Sequence, residues 1–347
     1  MKMNLTRRLT LAALAVATTF GAVGVASAQN YPDRPIRMVL PFPPGGVTDL
    51  LARVLAEKLA PRLGQPVVVD NRAGAGTVLA SDTVARAAAD GYTILLAASS
   101  LGTAPLLYEK VGYDAIRSFA PITQVASVVH VLVVNPDLPV NSVAELVAHS
   151  KQNPDKLSYA STGMGTSTHL EGELFKSMAR ASMTHIPYKG SGPALTDLVA
   201  GRTHVMFDAW GSSGPFVKAG KLRALAVTTS KRSEVLPALP TVAESGLPGY
   251  EAMPWLGLVA PAGTPSAVVD RLHREVNEIL KEPDVKVVMR HEVVRLILRR
   301  RGIIRHVIIL PSTIHWRTLV FGVPSFCENE QLYSRQLHSA VSVGNIK

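Results

Sequence analysis

Two short segments carry residues whose types and spacing suit chemistry: Pro41-Phe42-Pro43-Pro44-Gly45-Gly46-Val47-Thr48-Asp49 and Ser161-Thr162-Gly163-Met164-Gly165-Thr166-Ser167-Thr168-His169. Each follows a strand-like run and opens into an amphipathic helical pattern, and neither contains Lys or Arg. A helix start presents unpaired N–H groups and the positive end of its dipole, so such a loop holds an anion with backbone alone. The hydroxyls of the second segment add hydrogen-bonding groups suited to a carboxylate. Two such starts facing one another make a clamp. The candidate ligand contacts are Phe42, Pro44, Gly45, Gly46, Thr48 and Asp49 in the first segment, and Ser161, Thr162, Gly163, Gly165, Thr166 and His169 in the second. Ser99 and Asp208 join them.

Each motif also has a purely structural reading. Pro43-Pro44-Gly45-Gly46 is a sharp turn in its own right. Phe42 either packs against a ligand or fills core. Asp208, at the end of Val205-Met206-Phe207, either caps the next helix or accepts a hydrogen bond from a ligand ammonium or hydroxyl. Trp210 and Trp255 are cleft walls or core aromatics. Thr168 followed three residues later by Glu171 fits a capping box. His169, in a first helical turn, reads as a structural hydrogen-bonding group, because no G-x-S-x-G elbow or assigned acid and base accompanies it. Gly163-Met164-Gly165 lacks the third glycine of a dinucleotide fingerprint, and no G-K-[ST], H-E-x-x-H or His/Cys metal spacing occurs. No catalytic residue, metal or cofactor is expected.

The elements that must position these residues alternate along the chain. Strand-like runs at 36–40, 67–69, 92–96, 128–134, 157–160, 185–188, 204–207 and 222–227 are interleaved with helical patterns at 48–63, 74–89, 143–151, 170–178 and 193–200. Such alternation implies α/β architecture with mainly parallel sheets. Strands recur without a fixed sequence period, which excludes a solenoid. Residues 128–134 and 253–260 are the places where the chain passes between two lobes.

The N-terminus has the form of a secretory leader. Lys2, Arg7 and Arg8 precede a mostly apolar stretch over 9–25, and Ala26-Ser27-Ala28 supplies a small-residue cleavage pattern, so the mature chain is expected to begin at Gln29. Cys327 is the single cysteine, so no internal disulfide forms; with the leader, this favours the periplasm. The formal charge of +10 is concentrated at the ends. The leader contributes +3 and residues 285–347 contribute +7, leaving 29–284 neutral. A neutral body lacks the basic patch that nucleic-acid binding requires.

Further motifs recur in order: Tyr31-Pro32-Asp33-Arg34-Pro35-Ile36, Asn71-Arg72-x-Gly74-Ala75-Gly76, Pro187-Tyr188-Lys189-Gly190, Gly220-Lys221-Leu222-Arg223-Ala224-Leu225-Ala226 and Pro240-Thr241-Val242-Ala243-Glu244. With the two loops, they resemble the solute receptors of tripartite tricarboxylate transporters, the Bug family, from about residue 30 to about 286. The resemblance implies a two-lobed periplasmic-binding-protein fold (type II), with residues 29–130 and 254–286 in one lobe and 131–253 in the other. It implies a monomeric, non-enzymatic receptor for a small carboxylate: a dicarboxylate, amino acid or aromatic acid. Membrane transport subunits would read its closed form, or a sensor kinase in a signalling variant. A secreted α/β hydrolase is the reading from another class. Asp208 is the position implied for a ligand amine. After Lys286 the chain departs from the family pattern, with Val293-Val294-Arg295-Leu296-Ile297-Leu298-Arg299-Arg300-Arg301 and an apolar run over 303–310, as a shifted reading frame would give. Residues from Val287 onward are therefore expected to pack poorly.

Overall fold

A computed structural model describes residues 31–291 and 294–296. The leader expected over 1–28 and the tail from 297 onward lie outside the described residues. Two sheets organise the chain. The first takes β1 (Ile36–Leu40), β2 (Val67–Asn71), β3 (Thr93–Ala98), β4 (Phe119–Val128), β10 (Trp255–Pro261) and β11 (Val294–Leu296), in the order β11-β4-β10-β3-β1-β2. The second takes β5 (His130–Val134), β6 (Ser158–Ser161), β7 (Thr184–Pro187), β8 (Val205–Ala209) and β9 (Arg223–Val227), in the order β7-β6-β8-β5-β9.

Both sheets are mixed. β1 runs parallel to β2 and β3, and β6 parallel to β7 and β8. β10 is inserted antiparallel between β3 and β4, and β5 antiparallel between β8 and β9. The inserted strand in each lobe is the one that arrives from the other lobe. A chain crossing between lobes enters at the edge where the parallel strands end, so its first strand must run the opposite way. The single strand expected over 128–134 accordingly breaks at Val129: β4 ends one lobe and β5 begins the next.

Nine helices flank the sheets among the described residues: α1 (Val47–Leu63), α2 (Val78–Ala85), α3 (Ser100–Leu107), α4 (Val143–Gln152), α5 (Ser167–Ala179), α6 (Ser191–Val199), α7 (Trp210–Lys218), α8 (Ser266–Ile279) and α9 (Pro283–His291). Leu51, Leu55 and Leu59, four residues apart on one face of α1, are fully buried against Ile36, Met38 and Leu40 of β1. The helix expected over 74–89 is shorter. Ala75–Thr77 form a 3-10 turn with left-handed backbone at Ala75, Gly76 and Thr77, and α2 follows. β4, α3 and α7 carried no periodic signal strong enough to be placed from sequence.

The segment after α8 returns to the first lobe. Lys58 of α1 pairs with Glu282 and Asp284, and Arg62 with Glu282 at 2.8 Å. Helix α9 runs through Val287 without a break. Val285 and Met289 enter the first lobe's core, and β11 pairs antiparallel with β4. Of the residues from Val287 onward that are described, Met289 is buried in that core. Val287 and Val288 themselves are exposed.

Candidate functional site

Five helices begin at one cavity of about 440 Å³ between the lobes. Gly45, Gly46 and Thr48 bring the start of α1, and Ser99 the start of α3. Ser167 and Thr168 bring α5, Ser191 and Gly192 bring α6, and Gly211 and Ser212 bring α7. No described residue lining it is Lys or Arg. First-turn amides cannot be satisfied within their own helix, so the wall carries positive dipole ends without cationic side chains. Phe42, Pro44, Leu195, Phe216 and Trp255 supply apolar wall, and Val128 and Pro254 sit where the chain crosses between lobes.

The first loop is braced from behind. Asp49 is buried and accepts from the Gly45 amide (3.1 Å), Asn71 Nδ2 (2.9 Å) and Arg53 Nε (2.9 Å). Burial pushes its carboxyl up, but these bonds together hold it below its ordinary value. Asp49 is thus not part of the cavity wall; it fixes the turn that is.

The second loop is bonded largely to itself. Thr168 Oγ1 accepts from the Thr162 amide at 2.8 Å, Thr162 and Thr168 hydroxyls share a bond of 2.9 Å, and Thr166 Oγ1 donates to the Gly163 carbonyl at 2.6 Å. Ser161 Oγ accepts from the Gly163 amide and meets His185 Nε2 at 2.7 Å. His169 Nδ1 accepts from the Gly165 amide at 3.1 Å and stacks on His185. Burial pushes both imidazoles down, that of His185 to about 4, which suits a neutral acceptor. Thr162 and Thr168 line the cavity; Ser161, Gly165, Thr166 and His169 do not. The capping box is absent: Thr166 is the N-cap of α5, Thr168 bonds to Thr162, and Glu171 turns to His130.

Gly163 faces a second cavity of about 240 Å³, which shares Phe42 and Thr162 with the first. There the lobes touch directly. Thr103 Oγ1 donates to the Gly165 carbonyl (2.9 Å) and Tyr108 OH to the Met164 carbonyl (3.1 Å). A Cβ on Gly76 would stand 2.0 Å from that same Met164 oxygen, so only glycine allows this approach.

Asp208 lines the main cavity and is 1 % exposed. Its Oδ1 accepts from Ser191 Oγ at 2.6 Å. The N-cap of α7 is Ala209, with no side-chain cap, so the capping alternative is not what the fold uses. His130 lines the cavity beside it, its Nδ1 2.9 Å from Glu171 Oε2. Trp255 is a cavity wall, whereas Trp210 packs into the second lobe's core. Sequence reasoning did not single out His130, Ser191 or Ser212. The Gly190-Ser191-Gly192-Pro193 turn between β7 and α6 repeats the strand-to-helix pattern of the two loops and could have flagged Ser191; His130 carries no local signal. Among the described residues, no helix is long and apolar enough to cross a membrane, and no group of His, Cys, Asp or Glu is placed to hold a metal.

Comparison with known proteins agrees with this geometry. Residues 51–296 match the family described as the tripartite tricarboxylate transporter family receptor. The protein BugT of Bordetella pertussis is 43% identical over 285 residues, covering 82% of this chain and 87% of BugT. A solved R. palustris structure with adipate is 39% identical, with a TM-score of 0.78, covering 80% of this chain and 93% of that one. MatC from Rhodopseudomonas palustris with bound malate is 31% identical, with a TM-score of 0.77, covering 80% and 96%. The two lobes, the cation-free cavity at five helix starts and these relatives place the chain in one group: it belongs to the tripartite tricarboxylate transporter receptor (Bug) family of periplasmic solute-binding proteins.

Proposed function

We propose that this chain captures a small carboxylate, most simply a dicarboxylate, in the cavity between its lobes. It then delivers that ligand to the membrane subunits of a tripartite tricarboxylate transporter. The observation that carries this reading is the convergence of five helix starts on a cavity lined by no Lys or Arg. Such a wall stabilises an anion through backbone N–H groups and dipoles. Adipate and malate in the two R. palustris relatives support the ligand class. Gly45, Gly46 and Thr48 on one lobe, with Thr162 and the first turn of α5 on the other, bridge the ligand. Ser99 and the apolar side chains shape the rest. Asp49, Ser161, Gly165, Thr166 and His169 hold the loops in place. Ligand contacting both lobes favours the closed form over the open one, and the membrane partner reads that population. Export uses the leader, cleaved after Ala28, and the receptor acts as a monomer in the periplasm.

A thermal-shift panel of dicarboxylates, amino acids and aromatic acids tests this. A ligand at about 100 times its Kd adds about 2.7 kcal/mol of stability. If none of the carboxylates raises the melting temperature, the reading fails.

A further inference from the structure

One peptide group of the second loop is held from both lobes, and its holder on one side can take a proton. The Met164 carbonyl accepts from Tyr108 OH of the first lobe at 3.1 Å, and the next carbonyl, of Gly165, accepts from Thr103 Oγ1 at 2.9 Å. The Gly165 N–H shares a plane with the Met164 carbonyl and donates to His169 Nδ1 at 3.1 Å, so fixing the amide fixes the carbonyl. An imidazole nitrogen accepts only while unprotonated; protonated, it is a donor facing a donor. The Thr162, Thr166 and Thr168 hydroxyls rotate to suit their partners, and this nitrogen does not. The surroundings keep it neutral. His169 stacks on His185 of β7 with ring centroids 4.2 Å apart, and His185 on Tyr159 of β6 at 4.9 Å. From α5 itself come Glu173, which accepts from Tyr159 OH at 2.5 Å, and Lys176, paired with it at 2.8 Å. Burial is the largest influence on His169 and pushes its pKa down; Glu173 opposes it and Lys176 adds to it. A charge on one stacked ring further disfavours a charge on the other.

Resting on the carboxylate-receptor reading above, we propose that His169 is an acid-sensitive latch: neutral, it holds the second loop in the form that meets the first lobe, and protonated, it frees that loop and weakens ligand binding. The step adds one proton from solvent to Nδ1, and the hydrogen bond from the Gly165 amide is lost. The Met164 and Gly165 carbonyls then lose their fixed positions opposite Tyr108 and Thr103, and the closed form loses contacts that join the lobes. Thr162, on the same loop, lines the ligand cavity, so the wall moves with the loop. The closed form needs neutral His169 more than the open form does, so bound ligand lowers the His169 pKa further. Affinity is therefore full above the ordinary histidine pKa of about 6.5 and falls as pH drops through it toward the lowered value.

Calorimetry of the intact protein with adipate and with malate, from pH 7.5 down to pH 4.5, tests this against His169→Asn. Asparagine Oδ1 sits where Nδ1 does, accepts from an amide and does not titrate. Both proteins meet the same ligand in the same ionisation state, so the ratio of their Kd values isolates His169. Between pH 7.5 and pH 4.5 the wild type should weaken relative to His169→Asn by about tenfold, the equivalent of about one unit between the open and closed histidine pKa values. His169→Leu, which has no acceptor, should bind about tenfold more weakly than His169→Asn already at pH 7.5. Proton NMR of the wild type reads the same linkage even if neither variant folds: saturating ligand should lower the His169 pKa by about one unit. A Kd ratio that does not change with pH overturns the inference, as does a His169 pKa that ligand leaves unchanged or raises. Equal affinity of the Leu and Asn variants at pH 7.5 overturns it as well. Failure of every carboxylate to bind at pH 7.5 sinks the receptor reading itself, and this inference with it.

Discussion

In the loop after β1, a Cβ added at Gly45 or Gly46 would meet nothing within 4 Å. In the loop after β6, a Cβ at Gly163 would stand 3.4 Å from the Tyr188 carbonyl and 3.6 Å from Gly76 Cα. The first loop turns its backbone to the cavity and is braced from behind by Asp49, on the side away from any ligand. The second spends most of its hydroxyls on itself and sets its glycines against the opposite lobe. Two segments that share paired glycines and the absence of Lys and Arg thus divide the labour. One turns its backbone to the cavity; the other presents carbonyls to Thr103 and Tyr108 and lines the cavity with Thr162 and the start of α5. Clefts of this kind need both parts, because a ligand that bridges lobes can shift the closed population only if the closed form has contacts of its own.

Substitutions that treat the loops differently test that division. Gly46→Val has the largest expected effect: the side chain enters open cavity space and blocks backbone approach, lowering carboxylate affinity at least about a hundredfold. The melting temperature without ligand should change little, because no neighbour is displaced. Calorimetry together with thermal unfolding checks both parts, and wild-type affinity in this variant would remove the first loop from the binding wall.

Gly76→Ala acts outside the ligand cavity. Its Cβ would collide with the Met164 carbonyl and, at 2.6 Å, with Tyr108 OH, and its φ of +54° already disfavours a side chain. The clash should cost about 1–3 kcal/mol of closure and so lower affinity by about 5- to 150-fold. Small-angle scattering with saturating ligand should show the variant more extended than the wild type. A variant that closes normally would mean that the two lobes need no contact at this point.

The smallest effect on binding is expected from Asp49→Asn. Loss of the carboxylate weakens bonds to the Gly45 amide, Asn71 and Arg53, costing about 1–3 kcal/mol of stability but little affinity. Because the native carboxyl titrates below its ordinary value, this contribution is present at neutral pH and is lost as pH falls through the lowered native pKa. Urea unfolding at pH 7 and pH 3 should show the stability gap between variant and wild type narrowing on acidification. A gap of constant size would show that the side chain acts by shape, not by charge.

Much of the cavity wall was legible in the chain because its geometry is local. A strand, a Gly/Pro turn and a helix start are adjacent in sequence, and the first-turn N–H groups lack partners within the helix whatever the side chains are. The β1, β6 and β8 runs, the α1 and α5 faces and the cavity positions Phe42, Gly46, Thr48, Thr162 and Asp208 follow from that locality. The same locality misled where one signal had two outcomes: Thr168 and Glu171 have the spacing of a capping box, yet tertiary contacts claim both.

What only the tertiary structure decided is pairing across distance. Glu171 meets His130 from 41 positions away, Thr103 meets Gly165 from 62, and Tyr108 meets Met164 from 56. No periodicity records such partners, since their sequence separation is set by the topology of two sheets and not by the repeat of a helix or strand. The antiparallel insertions of β5 and β10 belong to the same class. The sequence determined that helix starts would follow the strands that end at the cavity. The packing of β5, α5 and α6 around β8 determined where the buried Asp208 carboxyl stands, because burial and neighbouring charge exist only once distant segments have met.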